Sequence, residues 1–352
     1  LGGELSYMWH YQMNHMFFRY FFWNFVGRES DIQDASWAFT NNNSIEALNF
    51  NNGYASEFPV KFYGLPLILG LIGLFYHYKR DKKTWWVFLV MFLLMGVLAA
   101  IAQSQLMPQP RERDYFYTGS FMVFCFWIGI GAYYLAELLR SKKDSAAVVG
   151  GSIAVSILLV PVIMGANGWK IHSRAGNYLP FDFAYNILQS CEKDAILFTV
   201  GDNDTFPLWN IQDVLGVRRD VRVVNLSLGG TEWYCRELRD RQPWGAKSIP
   251  LTILDNQELF KNNYVVERPK ELRVSVPLDV MRKYTSNDSI LANPTFNITY
   301  RGRNQSAGKD MLVYMVDDML IWDIIKTTKF ERPVYFCATA AYDAQQHGLD
   351  RF

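Results

Sequence analysis

The residues best placed to do chemistry stand in the string Gly201-Asp202-Asn203-Asp204-Thr205. They follow at once on the apolar, β-branched run Ala195-Ile196-Leu197-Phe198-Thr199-Val200. A buried strand that stops at polar residues and turns into a helix is how an open α/β sheet begins a binding crevice. Asp202 and Asp204 could bind a divalent metal that holds a diphosphate, as in nucleotide-sugar enzymes. They could instead act as a base, contact a sugar or an acceptor peptide, or simply cap a helix at a tight turn. Nucleotide sugars are not expected outside the cytoplasmic membrane, which speaks against the metal reading.

A second group lies in Pro108-Gln109-Pro110-Arg111-Glu112-Arg113-Asp114-Tyr115. Arginine binds phosphate oxygens bidentately and keeps its charge when partly desolvated. Arg111 and Arg113, on a loop stiffened by prolines, could hold a lipid-linked phosphate with Asp114 beside them. The competing reading pairs the arginines with Glu112, Asp114 or lipid headgroups, so that they only anchor a helix end. Other chemistries lack their signatures. There is no P-loop, no His-Glu-x-x-His and no Ser-His-Asp order. The four cysteines show no C-x-x-C spacing, so zinc ligation is not expected, and a disulfide among Cys191, Cys235 and Cys337 stays open. His77 and His172 read as interfacial rather than catalytic. The net charge of +1 argues neither for nor against a polyanionic partner, and no basic stripe is present to track nucleic acid, so no nucleic-acid partner is expected.

The elements that must position these residues fall into two unlike halves. Residues 1–60 open with an aromatic stretch over 5–26 that carries Arg19 and reads as an interfacial helix. A polar, Asn-rich segment over 28–58 without periodicity reads as a loop. Residues 61–170 hold apolar segments at 62–78, 85–102, 115–136 and 145–169. They are read as about four membrane spans, the first marginal in length. Lys79, Arg80, Lys82 and Lys83 separate the first two, and Arg140, Lys142 and Lys143 the last two. The positive-inside rule puts both basic clusters in the cytoplasm. The loop with Arg111 and everything beyond about residue 170 then lie outside.

Residues 171–352 read as an extracytoplasmic α/β domain with a parallel sheet. Helix is expected at 180–192 and 206–215, the latter N-capped by Thr205. Strand 221–228 and helix 231–241 follow, then strand 272–276, helix 309–326 and strand 333–339. Strand–helix–strand order implies parallel strands. Their ends at 202–204, 227–231 and 339–343 would make Asp202, Asn203, Asp204, Thr231, Glu232 and Asp343 neighbours on one edge.

Several strings together resemble one bacterial multispanning membrane family, long listed as a domain of unknown function and similar to protein O-mannosyltransferases. They are Trp23-Asn24-Phe25-Val26-Gly27-Arg28, Pro110-Arg111-Glu112-Arg113-Asp114-Tyr115, Gly201-Asp202-Asn203-Asp204-Thr205-Phe206-Pro207-Leu208-Trp209, Val221-Arg222-Val223-Val224-Asn225-Leu226-Ser227-Leu228 and Arg332-Pro333-Val334-Tyr335-Phe336. The resemblance implies a membrane glycosyltransferase of the GT-C architecture in the bacterial inner membrane. Such an enzyme takes a sugar from a polyprenyl-phosphate carrier and places it on an acceptor protein outside the membrane. Its catalytic acid residue is expected in an outer loop that precedes this sequence, so the chain reads as an internal fragment. The family's outer loop matches Arg111–Asp114. The alternative class is a non-catalytic membrane subunit of an envelope complex, whose outer domain binds a partner or glycan.

Overall fold

The computed structural model describes residues 2–38, 43–53, 57–142, 145–268, 271–299, 303–306 and 311–349. Lys143 of the second basic cluster and Lys309 of the expected helix lie outside the described residues. The chain divides into two compact units, residues 1–175 and 176–352.

The first unit is helical. Its opening helix is α over Gly2–Tyr7, widens to π turns over Met8–Phe18 and returns to α over Arg19–Phe25. Most of the aromatic residues that suggested a headgroup layer pack into the core, with Phe17, Tyr20 and Phe25 almost fully buried, while Trp9 is exposed. Phe17 packs edge-on against Phe92 and Tyr117, and Phe25 against Phe121, so rings from separate helices interlock. Residues 28–58 are not a featureless loop. Gly27–Arg28 pairs antiparallel with Val60–Lys61 at their base, and a helix spans Asn43–Asn51.

Among the described residues three helical stretches are long and apolar enough to cross a membrane: Lys82–Gln103, Asp114–Ser141 and Ala146–His172. Asp81 caps the first, accepting from the backbone N–H of Lys83 and Thr84. The third carries Pro161 within a π turn, which relieves the carbonyl the ring would strike. Trp86, Leu94, Met122, Phe126, Ile153 and Leu158 point outward and are exposed, an apolar surface suited to lipid. The fourth expected span is the helix Leu65–Arg80, whose 16 residues fall short of the roughly 20 a bilayer asks for.

Leu65–Arg80 runs parallel to Thr118–Lys142: Gly70 meets Phe124, Gly73 meets Trp127 and Gly131, and Tyr76 donates to Glu137. Lys82–Met95 runs antiparallel to it, with Phe88 near Trp127 and Phe92 near Phe124. These senses put Arg80 and Arg140 at one end of the bundle and the Arg111 loop at the other.

The second unit is built on a three-stranded parallel sheet. Ile196–Thr199 lies in the centre, flanked by Arg222–Asn225 and Val334–Phe336. Ile196, Phe198 and Val224 face Leu320, Ile321 and Ile324 of the helix Val316–Thr328. Leu197 and Val223 face the other way, onto Ala184 and Leu188 of Leu179–Ser190 and Leu208 and Ile211 of Asp202–Leu215. Burial on both faces explains why the strands read as unbroken apolar runs. Antiparallel pairs complete the unit: Glu271–Ser275 with Thr295–Thr299, and Tyr264–Glu267 and Arg303–Ser306 on either side of Leu312–Met315. The helix expected over 309–326 is therefore strand over Leu312–Met315, and helix begins only at Val316. All four cysteines are free, so the open disulfide is not formed.

The connection into Arg222–Asn225 is fastened by Arg218. It donates to the carbonyls of Leu188, Cys191 and Glu192 and pairs with Asp220 at 2.9 Å. The Arg218 hydrogen bonds, helped by the backbone N–H of Asp194, hold the Asp220 carboxyl down to about 2. A depressed carboxylate pKa adds stability above the unfolded value of about 4, and that stability is lost as pH falls through about 2. Asp220→Asn is therefore expected to flatten the acid limb of a stability-versus-pH curve followed by circular dichroism. An acid limb identical to wild type would remove the pair from the account of acid sensitivity.

Candidate functional site

In the helical unit the loop between Gln103 and Asp114 is tied down from beneath. Tyr7 donates to the Gln105 carbonyl at 2.6 Å, Gln12 to Ser104 at 3.2 Å, and Gln33 to the Gln109 carbonyl. The central tie is Glu112. Its carboxylate accepts from the Arg19 guanidinium at 3.2 and 2.8 Å, from the Tyr20 hydroxyl at 2.6 Å and from the backbone N–H of Asp34 at 2.6 Å. Burial raises the Glu112 pKa, but these donors outweigh it and hold the group below the usual Glu range. Arg19 is itself buried, donates further to the carbonyls of His15 and Ala35, and lies over the rings of Tyr20 and Trp23.

This settles where the loop's acid goes: Glu112 pairs with Arg19 rather than with its neighbours. Arg111 is exposed, its guanidinium 5.9 Å from the Tyr115 ring. Arg113 is half-buried and donates to Gln109 at 3.2 Å and to the Tyr115 hydroxyl at 2.8 Å. Among the described residues neither has a carboxylate oxygen within 4.0 Å. Asp114 is half-buried and opens the 3₁₀ turn Asp114–Tyr117 that leads into the apolar helix. The loop thus presents two cations on a fixed base, which suits an anion such as a phosphate. Arg19, Tyr20 and Glu112 were not legible as a unit. The available signal was a lone arginine in an aromatic run, since a charge in such a setting demands a carboxylate partner.

In the second unit the three parallel strands do end on one edge, but their polar residues are spent on one another. Gly201, at φ +80°, turns the chain so sharply that the helix starts at Asp202. Thr205 is thus not an N-cap: its hydroxyl sits within the first turns and bonds the Gly201 carbonyl at 2.7 Å. Asn225, at the end of the neighbouring strand, donates to that carbonyl at 3.0 Å and to Thr205 at 2.8 Å, and accepts from the Leu228 N–H at 2.9 Å. Asp204 is buried and accepts from Thr339, beyond the third strand, and from Thr205 at 3.3 Å. Burial, then Asp204, pushes the Cys337 thiol up to about 11.

Asp202 and Asn203 are exposed on the same edge while Asp204 points inward, so the two carboxylates occupy different surroundings. A divalent ion needing both does not fit this arrangement, and the described residues contain no group of three His, Cys, Asp or Glu able to hold one. The short helix Leu226–Gly229 stands between the second strand and Thr231. Glu232 then opens the helix Glu232–Asp240 and accepts from Arg236 at 3.0 Å. Asp343 lies in the first turn of Ala341–Gln346. The sheet therefore gathers Asp204, Thr205, Asn225 and Thr339 into one knot. Asp202 and Asn203 face solvent at that edge, as do Ser227 and Thr339.

No curated protein and no solved structure matches the chain. Residues 180–306 match the TMEM260-associated domain 2 family, a stretch holding two of the three parallel strands and the Asp202–Asp204 turn but not Val334–Phe336.

Proposed function

We propose that the chain belongs to a membrane glycosyltransferase-like protein that moves a sugar from a polyprenyl-phosphate carrier to an extracytoplasmic acceptor, with protein O-glycosylation as the process. In this reading the helical unit sits in a bacterial inner membrane and residues beyond about 170 form a periplasmic domain. The observation that carries it is the pair Arg111 and Arg113, without a carboxylate within 4.0 Å among the described residues, on a loop clamped by Glu112 at the bundle end away from Arg80 and Arg140. A lipid phosphate is a good leaving group once its charge is held, and fixed arginines hold it without reorganising. The resemblance to the protein O-mannosyltransferase-like family supports the same reading. The general base that would deprotonate the acceptor hydroxyl is not assigned to any residue of this chain.

The test is transfer of radiolabel from a polyprenyl-phosphate sugar to envelope proteins by the full-length protein in detergent. Arg111→Ala or Arg113→Ala is expected to lower transfer roughly 10-fold or more, the scale of one charge-assisted hydrogen bond, with melting unchanged. Wild-type transfer by both variants would sink the phosphate site. A second reading, a non-catalytic subunit whose outer domain binds a partner or glycan, draws on the structural use of Asp204, Thr205 and Asn225.

A further inference from the structure

The parallel sheet has an open side. Val334 pairs with Ile196 and Phe336 with Phe198. The Ile196 N–H donates to the Pro333 carbonyl and the Cys337 N–H to the Phe198 carbonyl, both at 2.8 Å. Backbone groups alternate sides along a strand, so Pro333, Tyr335 and Cys337 serve the central strand. The N–H and C=O of Val334 and Phe336 face the other way, and among the described residues they have no partner. Two residues with unmet donors and acceptors at a period of two form a template for another strand.

Beside this edge lies a cavity of about 400 Å³. Val280, Met281, Phe296 and Phe336 line it, and Glu192 and Tyr284 stand at its exposed side. The Tyr284 hydroxyl donates to Glu192 at 3.3 Å, and the Tyr335 hydroxyl accepts from the Glu192 backbone N–H at 3.4 Å. The opening is thus apolar within and carries one carboxylate at its mouth. Main-chain pairing supplies affinity in strand addition, and pockets for alternate side chains supply selectivity.

We propose that the outer edge of Val334–Phe336 docks an extended polypeptide segment. The segment adds a strand to the parallel sheet, sends an apolar side chain into the cavity and sets a basic residue against Glu192. The occupant is basic because, among the described residues, the one charged side chain lining the cavity is the acidic Glu192. The site concerns polypeptide binding alone and stands whether or not sugar is transferred.

The probe is a fluorescein-labelled peptide of alternating Thr and Val with one Lys, added to the full-length protein in detergent. Hydrogen exchange is followed at the Val334 and Phe336 amides. The peptide is expected to bind and to slow exchange at both amides. N-methylation of its alternate amides is expected to weaken binding at least about 10-fold. Glu192→Lys, at an exposed position, is expected to reverse the preference toward a peptide carrying Glu in place of Lys. Three results would overturn the site: no anisotropy change at millimolar peptide, equal binding of the N-methylated form, or protection that rises with protein concentration alone. The last would mean that a second copy occupies the edge.

Discussion

Glu112→Leu is expected to destabilise the helical unit by ~3–5 kcal/mol, the range for removing one partner of a buried ion pair. The reason lies with Arg19. Its guanidinium is 7% exposed and draws two of its hydrogen bonds from Glu112. Without the carboxylate it keeps the carbonyls of His15 and Ala35, its neighbouring rings and a long contact with the exposed Asp34 carboxylate at 4.0 Å. The same substitution strands the Tyr20 hydroxyl and the Asp34 N–H, so several donors lose their acceptor together. Thermal unfolding in detergent measures this. Arg19→Met combined with Glu112→Leu is expected to recover part of the loss, because no charge is then left buried. A single variant that melts with wild type would show the hub to be ornamental and would free Glu112 for another role.

Gly73→Leu is expected to cost ~3 kcal/mol or more, through overpacking that no rotamer change relieves. A Cβ at Gly73 would lie 1.8 Å from the Trp127 carbonyl oxygen and 2.6 Å from the Gly131 nitrogen. Those are backbone atoms of the facing helix, so the two helices must separate. Close approach through small residues is a common way for helices to pack where water drives nothing. Gly131 mirrors the contact, its Cβ position 2.1 Å from the Leu69 carbonyl oxygen. Gly165, with nothing within 4 Å, is the control, and Gly165→Ala is expected to leave melting unchanged. Equal melting of Gly73→Leu and Gly165→Ala would refute the tight crossing.

What could be read in advance was the apolar run that stops. The three strands were visible because each is an apolar run, buried on both faces in Ile196–Thr199 and Arg222–Asn225 and half-buried in Val334–Phe336, that ends in polar or small residues. Their shared edge then follows from parallel order. The use of that edge could not be read. Whether Asp204 faces solvent or Thr339 depends on a contact across the sheet, and local spacing carries no trace of it. The strand Leu312–Met315 was hidden by Leu312, Met315, Met319 and Trp322, whose spacing suits a helix, although Asp317 and Asp318 mark the true helix start. The aromatic opening helix misled for a related reason. Composition gives the taste of Trp, Tyr and Phe for an interface but not whether other helices supply the partners, and here Phe92, Tyr117, Phe121 and Phe124 do. Arg111 and Arg113 were found because their types are chemically explicit. Their freedom depends on Arg19, which is far away in sequence.

The strand order has a consequence for how this chain is made. The central strand Ile196–Thr199 gains one neighbour soon, from Arg222–Asn225, and the other only from Val334–Phe336 near the end of the second unit. On the ribosome the sheet therefore waits with a bare edge, and Asp204 waits for Thr339. Such late, long-range closure is slow and leaves a nascent chain open to pairing with others. A message truncated before Pro333 would release a unit whose stickiest surface is its own unfinished middle.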